Sequence, residues 1–375
     1  MPGITARLLA RISAFTLTVT GLTALAPPLA AQAAPTVTRI ASGLTIPWDV
    51  TWVGSTMLFN ERSGRLWSQR AGGTKQRVSI PLPKIYAKSE GGLMGMVADP
   101  AAASNGYFYT CMSVANSNGS PRDVQVWKWK LNSPTSAAKV KTLLTGIPIG
   151  TGRHNGCRLR FRNSDYLYIA TGDAAQGTNP QNLKSLAGKV LRIRASGAIP
   201  PENPFYSVGG NARYVVSYGL RNVQGLAFRG TVNELWAIEH GPTRDDEISK
   251  VHLGYNYGWS PTPGYNESRS MTDLRRYPKA AKPRWKSGSS TVAVSGGAFL
   301  TSSKWGSWKG YLAVALLKGK GIQLFKVGRS DMLSKVSEVA TNYGRIRTVQ
   351  QGPDGALYFT TSNGNGADGV YKLTR

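Results

Sequence analysis

The chain has 375 residues, 41% hydrophobic and 17% charged, which excludes a disordered, coiled-coil or multi-span membrane protein. Lys and Arg number 46 against 19 Asp and Glu, a net charge of +27. Two cysteines exclude a disulfide-dense scaffold and a zinc site made of four cysteines.

The N-terminus carries Arg7 and Arg11, then an apolar stretch from Ile12 to Leu29, then Ala31-Gln-Ala33, a small-x-small cleavage pattern. This reads as a secretory signal over residues 1–33, ahead of a single mature domain over 34–375. Pro27-Pro28 and the short apolar core argue against a membrane anchor, so a secreted protein without stable membrane insertion is expected. That compartment permits one bridge between Cys111 and Cys157. The densest basic run, Arg275–Lys286, has six Lys or Arg in twelve residues but lies among prolines like a loop. No nucleic-acid partner is expected; the basic surface suits contact with anionic envelope polymers.

A pair of short strands recurs about every 60 residues. The opening strands are Trp48–Trp52, Gly92–Met96, Arg158–Phe161, Gln224–Phe228, Gly296–Phe299 and Arg347–Val349. Their aromatic-bearing partners are Met57–Phe59, Tyr107–Tyr109, Tyr166–Tyr168, Glu234–Trp236, Gly310–Leu312 and Ala356–Tyr358. Six such units predict an all-β, six-bladed β-propeller. A β-sandwich does not require six similar units. A strand near Thr36–Ile40 is expected to close the ring beside Gly369–Leu373. One short helix is expected over Asn182–Ala187.

The three histidines, His154, His240 and His252, make no metal-binding pair, and there is no Gly-x-Ser-x-Gly elbow. Gly364–Gly369 matches Gly-x-Gly-x-x-Gly but leaves no room for a following helix, so it reads as a turn. His154 lies in a turn directly before an opening strand, placed either to act as a general base or to hold that turn. Glu239–Glu247 gathers four acids, with Gly241 and Pro242 in a tight turn. Acids and free carbonyls suit Ca²⁺; local salt bridging is the alternative. Arg221, Lys318, Arg345 and Arg347 stand at strand ends, either holding a polyanionic ligand or solvated.

Together these residues resemble the soluble pyrroloquinoline quinone (PQQ)-dependent glucose/aldose sugar dehydrogenase family. The resemblance runs in order through Gly43-Leu-Thr-Ile-Pro-Trp48, Glu90-Gly-Gly-Leu-Met-Gly95, His154-Asn-Gly-Cys-Arg-Leu159, Gly188-Lys-Val-Leu-Arg192 and Ile199-Pro-Pro-Glu-Asn-Pro204. It continues through Tyr218–Phe228, Glu239–Pro242 with Asp245–Glu247, Tyr255-Asn-Tyr-Gly-Trp259, Leu317–Lys320, Arg345–Arg347 and Gly352–Tyr358. It implies a six-bladed propeller that oxidises the anomeric carbon of an aldose, or of an oligo- or polysaccharide, to a lactone. PQQ and Ca²⁺ would be its cofactors, with an external electron acceptor. By the resemblance, His154 is the base, and Arg221 stabilises charge on the quinone oxygen. Asn222, Glu90, Lys318, Arg345, Arg347 and Trp259 contact PQQ. The carbonyls of Gly241 and Pro242 bind Ca²⁺, with Asp246 supporting the ion. Arg153 stands where glucose-oxidising members have Asp, Cys157 where members usually have Gly, and His240 where that branch has glutamine. The cofactor side matches while the substrate side departs, which points away from glucose itself. A non-catalytic propeller that binds extracellular or envelope polysaccharide is the rival expectation.

Overall fold

The computed structural model describes residues 2–3, 34–162, 165–230 and 234–375. Nearly all of the expected leader lies outside the described residues. Residues Pro35–Arg375 form one compact unit. Among the described residues no helix is long and apolar enough to cross a membrane.

The strands form six four-stranded antiparallel sheets. The first strand of each sheet packs against the first strands of both neighbours, and the six close into a ring. These inner strands are Pro47–Val53, Leu93–Ala98, Gly156–Arg162, Val223–Arg229, Val294–Phe299 and Ile346–Gln351. The fold is therefore the expected six-bladed propeller, and blades one to six are numbered by these strands. Burial falls outward: Val294–Phe299 is buried throughout, whereas half the residues of the outer strand Ser136–Ile147 are exposed. Buried inner strands need small residues where the blades converge. A Cβ on Gly225 would lie 2.3 Å from the carbonyl oxygen of Ser295 in the next blade, so only glycine fits there.

Blade six is completed by the N-terminal strand Thr36–Leu44, which pairs antiparallel with Asp368–Thr374. The expected closure holds, and Asp368 seals it: its carboxylate accepts the Ile46 N–H at 2.9 Å and the Thr361 hydroxyl at 2.9 Å. The segment Gly364–Gly369 is a turn leading into the last strand, as read from the sequence. The expected helix over Asn182–Ala187 does not form; the segment is a chain of turns. Asn182 accepts the Lys184 N–H through its side chain and Ser185 accepts the Ala187 N–H through its own. These local bonds satisfy the backbone in place of a helical ladder. The one α-helix among the described residues is Ala102–Asn105.

A buried cluster ties the blades together at the channel. The Arg158 guanidinium of blade three lies 2.7 Å from the Asp49 carboxylate of blade one, and both side chains are fully buried. Arg158 also donates to the Gln224 carbonyl of blade four and the Thr348 hydroxyl of blade six. Asp49 accepts the Met96 N–H of blade two at 3.0 Å. The disulfide Cys111–Cys157, with Cα atoms 5.6 Å apart, joins blades two and three.

Candidate active site at one rim of the channel

In an antiparallel blade the start of the inner strand lies beside the end of the second strand. Residues at these two positions therefore gather at one rim of the ring. There, all six inner strands carry a register shift near their first residues. Such bulges re-aim side chains. Trp48, Gln224 and Arg347 sit at three of them and meet: Arg347 Nη1 donates to Gln224 Oε1 at 3.0 Å and its guanidinium lies 5.7 Å from the Trp48 ring.

His154 precedes the blade-three inner strand in a left-handed conformation, φ 55°. Such a backbone is strained for a non-glycine residue and marks an over-determined position. Its ring is buried, and Nδ1 lies 2.9 Å from Asp173 Oδ1. A carboxylate accepts here, so Nδ1 carries the hydrogen and Nε2 carries the lone pair, which faces Arg153 Nη2 at 3.5 Å. Asp173 is itself held by the Ala175 N–H at 2.8 Å, the Trp259 indole N–H at 2.8 Å and the Tyr265 hydroxyl at 2.7 Å. Burial and the Asp173 charge push the Tyr265 phenol up, which keeps it a donor. The Asp173 loop approaches His154 so closely that a Cβ on Gly172 would lie 2.0 Å from the His154 carbonyl oxygen.

A second set of bonds joins the predicted residues across blades. Glu90 Oε2 accepts the His154 N–H and the Asn222 amide, each at 3.1 Å. Asn222 Oδ1 accepts from Gln224 Nε2 at 3.0 Å, which continues to Arg347. Burial pushes the Arg347 guanidinium down to about 9; Glu90 opposes that shift, and Arg158, Arg345 and Arg62 add to it. Arg347 Nε, Arg221 Nε and His240 Nε2 are buried without a hydrogen-bond partner. Burial also pushes the His240 imidazole down to about 4, so it is neutral at neutral pH.

Arg221 Nη1 donates to the carbonyls of His240 at 3.0 Å and Gly241 at 3.1 Å, and Nη2 lies 2.5 Å from Glu267 Oε1. Asp246 accepts the N–H groups of Gly241, Val292 and Ala293 at 2.9, 2.7 and 2.8 Å. It thereby fixes the Gly241-Pro242 turn against blade five. Lys318 and Arg345 stand exposed at the rim; Lys318 Nζ is 3.5 Å from Ser290 Oγ. Trp259 is fully buried and reaches the site through its indole N–H. Among the described residues no group of three or more His, Cys, Asp or Glu side chains gathers to hold a metal. Sequence reasoning missed Asp173, Tyr265 and Glu267.

A six-bladed propeller with a carboxylate-backed imidazole and a cluster of guanidinium groups at one rim has the makings of a propeller dehydrogenase. The glucose/sorbosone dehydrogenase family model matches residues 44–373, and the chain belongs to that family. The aldose sugar dehydrogenase YliI of Escherichia coli (strain K12) is 33% identical over 350 residues, spanning 90% of this chain and 92% of the relative. The crystal structure of the soluble aldose sugar dehydrogenase from Escherichia coli in the apo form superposes with a TM-score of 0.81 at 30% identity. That match covers 91% of this chain and 99% of the other. The PQQ-bound aldose sugar dehydrogenase from Streptomyces coelicolor superposes with a TM-score of 0.72 at 27% identity, covering 91% and 98%.

Proposed function

We propose that the protein is a PQQ-dependent dehydrogenase that oxidises the anomeric carbon of an aldose or sugar-containing substrate to a lactone. The observation that carries this reading is the His154–Asp173 pair, 2.9 Å apart, which leaves the lone pair on Nε2. Oxidation of a cyclic aldose at C1 removes a proton from oxygen and a hydride from carbon. His154 Nε2 takes the proton as the C=O bond forms. Asp173 holds the ring in the required tautomer and stabilises the imidazolium. Arg221 supplies positive charge where negative charge develops.

PQQ, when bound, supplies the two-electron acceptor for the hydride. The residues present fit it: a polyanionic, planar group meets Arg347, Arg345 and Lys318, and the orphaned nitrogens of Arg347 and Arg221 want acceptors. Asn222 and Glu90 would contact its polar edge, with Trp259 buried behind Asp173. Ca²⁺ is proposed at the carbonyls of Gly241 and Pro242, positioned by Asp246, with the ion replacing Arg221 Nη1 on the Gly241 oxygen. These are hard neutral oxygens suited to the ion, which takes about six to eight such ligands in all. An external electron acceptor completes the cycle. Export is proposed as well, supported by the Cys111–Cys157 disulfide, a bond that persists in oxidising compartments.

The test is a titration of purified apo-protein with PQQ, with and without Ca²⁺, followed by a panel of aldoses. Saturable, Ca²⁺-dependent change in quinone absorbance and then sugar-driven bleaching are expected. Absence of PQQ binding would leave a polysaccharide-binding propeller as the better reading.

A further inference from the structure

We infer that the substrate itself carries a carboxylate: the site is built for an acidic aldose, a uronic acid or a uronate-ended oligosaccharide, with Arg153 as the specificity-determining residue. This rests on the sugar dehydrogenase reading above. Arg153 Nη2 lies 3.5 Å from His154 Nε2, the atom that takes the proton. The same guanidinium nitrogen is 3.3 Å from Glu267 Oε1, which Arg221 Nη2 also reaches at 2.5 Å. A carboxylate from the chain's own loop thus lies between two arginines beside the base. Burial works against its ionisation, but Arg221 and Arg153 outweigh that and hold the Glu267 carboxyl below its ordinary value. Two guanidinium groups converging on one point are a carboxylate-binding geometry.

The bridge is open to exchange. The side chains of Arg153 and Glu267 are 46% and 38% exposed, and ion pairs so exposed are weak. A ligand carboxylate can take the place of Glu267 on Arg153, while Glu267 keeps its 2.5 Å contact with the buried Arg221. In a uronic acid that group stands on C5, the other carbon bonded to the ring oxygen, close to the reacting C1. A neutral aldose offers Arg153 no charge partner.

A second observation points the same way. The loop that delivers Tyr265 and Glu267 continues to a surface cavity of about 690 Å³ lined by Thr262, Pro263, Arg269, Asp273, Arg275 and Arg276. Asp273 Oδ1 is already occupied by the N–H groups of Arg275 and Arg276, each at 3.1 Å. Arg276 is committed to the hydroxyls of Ser260 and Thr262. Arg269 and Arg275 are exposed and, among the described residues, form no ion pair. An oligosaccharide with an acid on each sugar would meet these charges beyond the residue being oxidised.

The experiment compares glucuronate and galacturonate with glucose and galactose, and trigalacturonate with a neutral trisaccharide. Binding to the full-length protein is read by calorimetry before PQQ is added, at low and high salt. KM and kcat are read after PQQ is added. Each uronate is expected to bind about tenfold or more tighter than its neutral counterpart, an advantage that salt reduces. Arg153→Gln should erase the preference, mainly in binding and KM. Glu267→Gln should strengthen uronate binding by removing the internal competitor, and it decides the matter if Arg153→Gln does not fold. Neutral sugars bound and oxidised as well as uronates would overturn the inference and leave the dehydrogenase reading intact. So would a preference that survives Arg153→Gln. Arg153-dependent uronate binding without any reduction of PQQ would support the inference and overturn the dehydrogenase reading.

Discussion

Asp173 receives four donors, and their arrangement decides what a substitution there does. The His154 ring and the Ala175 N–H meet Oδ1, while the Trp259 indole and the Tyr265 hydroxyl meet Oδ2. An amide has one acceptor oxygen. In Asp173→Asn it either faces Trp259 and Tyr265, turning a donor toward Nδ1 and moving the imidazole hydrogen to Nε2, or it leaves those two donors unpaired. In the first case the base is lost; in the second it keeps its tautomer but loses the charge that stabilises the imidazolium. The expected outcome is a fall in kcat of about 10²–10⁴-fold with PQQ binding retained, measured by steady-state rates beside the quinone titration. His154 and Arg221 stood out in short strings at strand ends, Asn222 and Glu90 through the family resemblance, and the fold brings His154, Asn222 and Glu90 into contact. Asp173 had a readable signal too, an acid following Gly172 at the end of the buried strand Tyr166–Thr171. Tyr265 had none: it reaches His154 across 111 residues from a loop without pattern. Glu267 is likewise 114 residues from Arg153. Contacts of that span are made by the fold and leave no local trace.

At the level of elements, the repeat was legible because every blade needs a buried inner strand and an aromatic-rich second one. The bulges were not, since a register shift depends on the partner strand rather than on local propensity. Asn182–Ala187 misled because its composition suits a helix, while its Asn and Ser side chains bond the backbone in turns. The disulfide belongs to this scale as well. Cys157 stands three residues after the base, in the bulge of blade three, and closes a span of 46 residues. Its removal in Cys111→Ala/Cys157→Ala should cost about 2–4 kcal/mol. For a domain of this size that is a drop of about 3–6 °C in thermal midpoint. A calorimetric scan of the variant against the parent checks it. A midpoint unchanged to within about 1 °C would mean that the bridge adds no net stability.

Across the whole molecule, the Arg158–Asp49 pair serves as a hub, since its bonds reach the inner strands of five blades. Asp49→Ala strands a buried guanidinium and should destabilise the ring by about 3–5 kcal/mol, read from denaturant unfolding. Replacing both partners by apolar residues of similar volume should recover part of that loss, since Arg158 is then gone and Arg160, 3.6 Å from Asp49, is the guanidinium left without its carboxylate. An equal loss in the single and double variants would show that the pair's hydrogen bonds to the other blades, and not its charge balance, hold the channel.

The strand that completes blade six has a consequence in time. Thr36–Leu44 pairs with Asp368–Thr374, so its partner emerges only after the first five blades have been made. At ordinary elongation rates of about 5–20 residues per second the first strand waits about 15–65 s before it can pair. Throughout that interval it is an open edge able to join another chain. Thr36, Thr38, Arg39 and Ser42, all outward-facing in the finished ring, make it a polar strand that resists such pairing while the rest of the propeller is made. Assembly is then governed by an encounter between the two ends of the domain, a closure over nearly its whole length. Such non-local pairing is slow to form, and the ring should be among the slower-folding architectures for its size.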